Sequence, residues 1–525
     1  MAVLSFRQRI VLNIFASYGR SLYALVVGLF CGRWMLMALG QVDYGLMGVV
    51  GGLTAFVAYL NGILASAIGR FYAISVGEQS TNPENGLSSC RMWFTTAVVV
   101  QTVVPTLLLV VCYPIGEWAV RCFLAIPADR VQECVWVWRF VSISCFLGMV
   151  GIPWNAMYVA RQHIAELTIY SFATTTLNAC FLYYMVAHPG VWLSKYAFWQ
   201  CLLAIIPNLI IWSRAHYLFP ECRIVRRHLR CWGNIKKMAS YALWNAWGTL
   251  GAVLRGEGIA ILVNKGFGPR TNAGLAVGTT LSGQCDTLAG SLIGAFSPAI
   301  FNAWGAKDYR QARLLAFQAC KIGTLLVLVF ALPLSLEVDE VLRLWLLDPP
   351  PYATGLFVFV MAMTVVDKMA VGQMICVNAN GRIAAYQAFL GTSLVLTLPL
   401  AWLLVVQGFG PYAVGWAMVA TMTVCALGRV WFARRLVGMS ARYWTKRVCL
   451  PLLTLVGSSL GVGLLPRIFL AQSFVRVCVT TLIVESVLLP FAWFLVLDSS
   501  ERMFLRSRFA TFVSKMRTGR GKAGR

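Results

Sequence analysis

The sequence predicts an all-α, polytopic membrane protein. Three observations carry this: the balance of apolar and charged residues, the recurrence of long apolar runs, and the alternation of basic with acidic loops. Hydrophobic residues make up 59% of the chain and charged residues 12%, against roughly 45–50% and 25% in ordinary soluble domains. Apolar runs of about 18 residues or more recur over the whole length, each able to cross ~30 Å of hydrocarbon.

We read about fourteen spanning helices on this basis, at 10–37, 44–66, 92–113, 135–160, 166–187, 191–215, 239–264, 272–302, 317–336, 354–376, 383–407, 411–434, 447–467 and 474–497. The stretch from Pro114 to Glu133 is shorter and more polar, and reads as an interfacial helix and loop. The N-terminus has basic residues before an apolar run, but no small-residue cleavage site closes it and the run continues too far. It reads as a first spanning helix, not a cleaved signal.

Short-loop charges set the orientation. With the N-terminus in the cytoplasm, that side holds Arg7, Arg9, Arg70, Arg91, Arg161, the run from Arg223 to Lys237, then Lys307, Arg310, Arg313, Lys321, Arg382 and Arg434 to Arg447. The opposite side is richer in acids: Asp43, Glu117, Asp129, Glu133, Glu337, Asp339, Glu340 and Asp348. Both termini then lie in the cytoplasm. The net charge of +25 sits in loops and tail, with no soluble basic domain. It therefore points to topology and anionic-lipid contact rather than nucleic acid. In the tail, Leu505, Phe509, Phe512, Val513 and Met516 share one helical face among Arg and Lys, predicting a surface amphipathic helix that frays from about Thr518.

The 16 cysteines form no C-x-x-C pair and no metal spacing with His, and most lie in apolar runs as small hydrophobes. No disulfide framework, metal site or cofactor is expected. The Gly-rich run GVVGG is not a nucleotide loop, because no Gly-Lys-Ser/Thr follows it. No G-x-x-x-x-G-K-[ST] occurs, which excludes an ATP motor of that kind in this chain.

The chain repeats itself. YGLMGVVGGL after Gly40 echoes NAGLAVGTTL after Gly268, and each leads into a long helix ending in VGE at Val76 or WGAKD at Trp304. A second echo, YVARQHIAEL from Tyr158 and CVNANGRIAAYQ from Cys376, matches Ala160, Ile164 and Ala165 with Ala379, Ile383 and Ala384. Two echoes in similar register suit diverged copies of six helices each, a signature of secondary transporters. Six is even, so the copies share one orientation and an axis along the membrane normal. The predicted organisation is a six-helix bundle over 1–216, a basic cytoplasmic linker over 217–238, a second six-helix bundle over 239–435, two further spans over 436–498, and a basic amphipathic tail over 499–525.

The sequence resembles the bacterial polysaccharide flippases, the Wzx-like O-antigen and capsule translocases of the multidrug/oligosaccharidyl-lipid/polysaccharide (MOP) exporter superfamily. The likeness is carried by LGQVDYGLMGVVGGLTAFVAYLNGILASAIGRFYAISVG, GIPWNAMYVARQHI, FPECR, WNAWGTLGAVLRGEGIAILVNKGFGP and NANGRIAAYQ, in that order and spacing. It implies two six-helix bundles in a MATE-like V-shaped fold, with two added C-terminal helices. It implies a protein of the bacterial inner membrane that flips an undecaprenyl-diphosphate-linked oligosaccharide from the cytoplasmic to the periplasmic leaflet by alternating access, coupled to an ion gradient. Its implied partners are the lipid-linked oligosaccharide, anionic lipids and the polysaccharide polymerase machinery, with the transporter itself a monomer. The sugar and the coupling ion stay open.

Charges inside the spans are the candidate site, since each costs about 2.5–3.5 kcal/mol at a helix centre. Arg20 lies roughly 15 Å into the first span, and Arg255 and Glu257 roughly 24–28 Å into the seventh. Arg20, Arg255 and Lys368 are expected to form a cationic cavity for a diphosphate or acidic sugars, because guanidinium pairs bidentately with phosphate. The alternative is ion pairing between helices, for example Arg255 with Asp286. Glu257, Asp286 and Asp367 are candidates for ion coupling or for charge pairing. Glu485 belongs to the added spans and reads as structural. Arg255 and Glu257 lie about 200° apart around the helix, so they do not pair. Gly256 and Gly258 beside them permit close packing or a bend. Trp244 and Trp247 are placed to stack on sugar rings, or to serve as interfacial belt and packing residues.

Two other readings compete. A MATE-like drug or small-molecule antiporter would want an excess of carboxylates in the cavity. An integral-membrane glycan polymerase or ligase would want a sizeable outer loop. The stretch from Pro114 to Glu133 offers about twenty residues without paired carboxylates and His, so a non-enzymatic transporter is expected.

Overall fold

The computed structural model describes residues 6–52, 55–123, 126–228, 232–346 and 349–498, with Arg502. The amphipathic helix expected over the tail, Asp348, and Arg230 of the linker lie outside the described residues.

The chain is all-helical among those residues: α1 (Phe6–Gly52), α2 (Ala55–Thr81), α3 (Pro83–Trp118), α4 (Val131–Val150), α5 (Ile152–Ala160), α6 (Ile164–Ala187), α7 (Leu193–Leu218), α8 (Trp232–Phe267), α9 (Pro269–Gly305), α10 (Tyr309–Leu346), α11 (Ala353–Met369), α12 (Val371–Asn380), α13 (Ala384–Val395), α14 (Thr397–Val406), α15 (Tyr412–Val437), α16 (Ala441–Trp444), α17 (Leu450–Gly463), α18 (Leu465–Phe469) and α19 (Phe474–Phe491). Among the described residues every expected span is largely helical. By length and apolarity ten of the described helices can cross a membrane, or eleven if α11 and α12, bent by 45°, count as one. The count of fourteen is therefore not reached by that measure. The segments at 166–187 and 272–302 fall short of it, and the segment at 44–66 includes residues 53 and 54, which lie outside the described residues. Both of the segments that fall short carry Thr and Ser along their length, as in Thr174 to Thr176 and Thr279 to Ser282.

Breaks follow proline, which removes a backbone donor and crowds the preceding turn. α4 gives way to α5 just before Pro153, α13 to α14 just before Pro399, and α17 to α18 just before Pro466. One expected boundary is met by a break in the backbone and one is corrected. The first two segments share α1 up to Gly52, but the backbone breaks between them at Gly40 (φ 73°, ψ 173°), a conformation that glycine adopts without strain. The second segment divides between the end of α1 and the start of α2, with residues 53 and 54 outside the described residues. The stretch from Pro114 is not a separate interfacial helix. α3 continues through Pro114 to Trp118 and into a π turn over Ala119–Phe123, and α4 starts at Val131.

Packing divides the chain into two compact units: residues 1–250, 290–315 and 375–391, and residues 251–289, 316–374 and 392–525. In the first unit Ile68, Tyr72, Phe94, Met157, Tyr158 and Tyr241 form the core of α2, α3, α5 and the start of α8. Its basic end is tied by side chains. Asn13 donates to the carbonyl of Gln162 (3.1 Å) and accepts from the amide of Ala165 (3.2 Å). Arg161 pairs with the buried Glu221 and with Gln79. Close by in sequence, burial pushes the Cys222 thiol up to about 12, so it stays protonated and inert. At the acidic end Arg130 reaches Asp43 (3.5 Å) and Glu133 (3.4 Å).

In the second unit Ile259, Val263, Leu275, Leu356, Val414 and Met418 join α8, α9, α11 and α15. Helices in lipid gain little from apolar burial against one another, so close packing and polar contacts matter more. The added helices show this. Arg476 at the start of α19 forks onto Glu337 of α10 at 2.8 and 3.0 Å, and Thr480 donates to the same carboxylate at 2.9 Å. Glu337 is 0% exposed and sits where α10 departs from helical geometry. At the other end Lys321 pairs with Asp498 at 2.7 Å.

Candidate functional site

A charge cluster in the second unit gathers four of the residues singled out above: Arg255, Asp286, Asp367 and Lys368. It forms at the bend between α11 and α12. There Ala370 leaves the helix (φ −122°, ψ 14°), and the carbonyls at the end of α11 lose their regular helical donors, that of Asp367 keeping only a 3.3 Å bond from the Ala370 amide. Side chains replace those donors, as a broken helix within a membrane requires. Arg429 of α15 donates through Nη1 to the carbonyl of Asp367 at 3.1 Å, and Trp444 donates through Nε1 to that of Met369 at 2.8 Å.

The same Arg429 Nη1 lies 2.8 Å from the Asp367 carboxylate. Lys368 lies 3.2 Å from Asp367 Oδ2 and 2.6 Å from Asp286 Oδ1 on α9, the latter an ion pair off the hydrogen-bonding direction. Arg429 is 4% exposed and Lys368 8%. Both cations of this inner shell are thus bound to carboxylates. Lys368 in the last turn of α11 also complements the negative end of that helix.

Arg255 stands apart from these pairs. It is half-buried on α8 within the field of Asp367 and Arg429, and its Nη1 is buried without a hydrogen-bond partner. A buried, unsatisfied guanidinium nitrogen is costly and calls for an acceptor. Asp286 does not supply it, because Lys368 has taken that carboxylate. Among the described residues the cations Arg255, Lys368 and Arg429 outnumber the carboxylates Asp286 and Asp367 by one.

The other candidates sit elsewhere. Glu257, two residues beyond Arg255, is exposed on the far side of α8 and makes no ion pair or hydrogen bond among the described residues. Gly258 packs against the Leu398 side chain, whereas Gly256 faces open space. Arg20 belongs to the first unit, half-buried and without a polar partner among the described residues. Trp244 and Trp247 are also in the first unit, 40% and 48% exposed, and the Trp247 ring lies over Gly391. Glu485 keeps Oε1 buried without a partner in α19.

The sequence reading missed Arg429. It falls inside an apolar span, CALGRVWF, and the rule that singled out Arg255 applies equally to it.

No family model matches the sequence, and no curated protein matches it significantly. Solved structures do match. An outward-facing multidrug-resistance MATE family transporter of the MOP superfamily shares the fold with a TM-score of 0.66 at 15% identity, over 82% of this chain and 96% of that one. A MATE structure in complex with MaL6 gives 0.64 at 15% identity, with the same coverage. A MOP superfamily transporter from Pyrococcus furiosus, described as having a binding pocket of reverse polarity that suggests a different function, also gives 0.64 at 15% identity over 82% and 96%. The chain therefore has a MATE-like fold.

Proposed function

We propose that this chain is a secondary transporter of the bacterial inner membrane that flips an undecaprenyl-diphosphate-linked oligosaccharide, a repeat unit of lipopolysaccharide, capsule or exopolysaccharide, to the periplasmic leaflet. The observation that carries the reading is the unpaired Arg255 Nη1 beside a cluster whose carboxylates are already matched by cations. Such a site offers a fork to a phosphate or an acidic sugar. It lies at a broken helix, where transporter folds place their substrates. Arg20, in the first unit, supplies a second cation for the same anionic substrate. Exposed Glu257, without a partner among the described residues, is the carboxylate left free to take up a coupling proton or Na⁺. Trp244 and Trp247 offer rings to the sugars.

The fold suits a drug antiporter equally well, as MATE proteins carry it, and one fold hosts many functions. Charge separates the two readings. A cationic drug gains nothing from an unmatched guanidinium, and the Pyrococcus furiosus protein illustrates that pocket polarity varies on this fold.

Deleting the gene tests the reading in cells. The expected result is undecaprenyl-linked oligosaccharide trapped in the lipid fraction on the cytoplasmic face, with surface glycan lost. Unchanged surface glycan without accumulation overturns it.

A further inference from the structure

The two sequence echoes meet in space at the basic end of the first unit. In the register that matches Val76 with Trp304, Gly77 of α2 corresponds to Gly305 of α9. A Cβ on Gly77 would overlap the Asn302 carbonyl oxygen, and a Cβ on Gly305 would overlap that of Ile74. Two equivalent glycines thus let α2 and α9 cross backbone to backbone, each lying against the other's helix.

The polar contacts are reciprocal as well. Arg70 of α2 donates through Nε to the carbonyl of Asn378 at 2.5 Å and through Nη2 to that of Ala379 at 2.9 Å, at the end of α12. Asn302 of α9 donates to the carbonyl of Ala160 at 3.0 Å, at the end of α5. Ala160 and Ala379 are the matched residues of the second echo. Two positions further on, Gln162 and Gly381 both take positive φ, 61° and 87°, so the two turns share a backbone shape. A Cβ on Gly381 would strike the Arg70 guanidinium. Arg70 itself lies over the rings of Tyr241 (4.7 Å) and Phe71 (5.0 Å). It is 7% exposed and Asn302 8%.

The geometry points to a reciprocal latch: each repeat's gate helix, α2 or α9, caps the freed carbonyls at the turn of the other repeat, and letting go of these caps opens the basic end. Three features fit a latch better than a permanent weld. All three bonds run from a side chain to main-chain carbonyls that end a helix, and water can satisfy those once the helices part. At the crossing point itself the two backbones meet at glycines, so no side chain is interlocked there, while Phe301 and Ile383 pack on the first unit's core beside it. Asn302 Oδ1 and Asn378 Oδ1 are buried there without hydrogen-bond partners, a cost that opening relieves.

The test needs no substrate, so its outcome is independent of what the protein carries. Sixteen native cysteines make thiol labels unselective, so azidophenylalanine is placed at Ser80 and Arg382, both exposed. The full-length protein in lipid nanodiscs is then labelled for single-molecule energy transfer. The unaltered latch gives mainly a high-transfer population. Arg70→Ala with Asn302→Ala raises the ratio of low- to high-transfer molecules roughly tenfold or more, because hydrogen bonds to a charged group are lost. Gly77→Leu wedges the crossing and shifts it the same way. Arg70→Lys keeps the charge but loses the fork, and gives a smaller shift in the same direction. An unchanged distribution in the double variant overturns the latch. If that variant does not fold, an unchanged distribution in Arg70→Lys overturns it.

Discussion

Replacing Asp367 with asparagine will lower the stability of the folded protein by about 3–5 kcal/mol, the cost of removing one partner from a buried ion pair. Asp367 answers two cations at once, Arg429 at 2.8 Å and Lys368 at 3.2 Å. Arg429 has a side chain only 5% exposed, so water does little to replace the carboxylate it loses. Lys368 retains Asp286, which is 46% exposed and can also be hydrated. The loss therefore falls mainly on Arg429, whose guanidinium also holds the frayed end of α11. Thermal denaturation of detergent-purified protein, followed by size exclusion, measures it. Glu257→Gln, on the exposed side of α8, serves as the control and leaves the midpoint unchanged. Equal midpoints for Asp367→Asn and the control would show that the cluster is not what holds the bend.

Arg255→Ala will reduce surface glycan roughly tenfold or more, since a charge-assisted hydrogen bond is worth about 1.5–3 kcal/mol. The protein will still insert and accumulate, because Arg255 Nη1 holds nothing in the structure. Truncating it removes a buried unsatisfied group and costs little stability. Arg255→Lys keeps a point charge but not the planar fork, and export falls between the two. Quantifying surface glycan against membrane-inserted protein separates transport from expression. Full export by Arg255→Ala would remove Arg255 from the site and leave the cationic reading without its principal residue.

Much of the fold was legible because its cause is local. Apolar length sets each helix, and Pro153, Pro399 and Pro466 mark where helices break. Loop charges separate the two ends. The run through Pro114 was misread because proline and polar residues weaken hydropathy there, yet an extended helix tolerates them at its end. The charge cluster was legible only as a roster. Arg255, Asp286, Asp367 and Lys368 could be named from burial cost alone, but pairing depends on how each helix is rotated about its axis. Within a nearly uniform apolar span no amphipathic pattern fixes that rotation. Hence the expected alternative, Arg255 with Asp286, gave way to Lys368 with Asp286, and Arg429 emerged as the partner of Asp367. The glycine crossing was present in the sequence as a faint repeat, and its meaning came from Gly77 and Gly305 lying against each other's helices.

The central claim is that this MATE-like fold carries an anionic lipid-linked oligosaccharide across the bilayer. Reconstitution tests it most directly: purified protein in anionic-lipid vesicles, an imposed ion gradient, and a fluorescent polyprenyl-diphosphate oligosaccharide whose exposure is read by a membrane-impermeant quencher. The expected result is gradient-dependent exchange of the labelled lipid between leaflets, slowed roughly tenfold or more by Arg255→Ala, and no efflux of a cationic dye such as ethidium. Ethidium efflux without movement of the labelled lipid would contradict it.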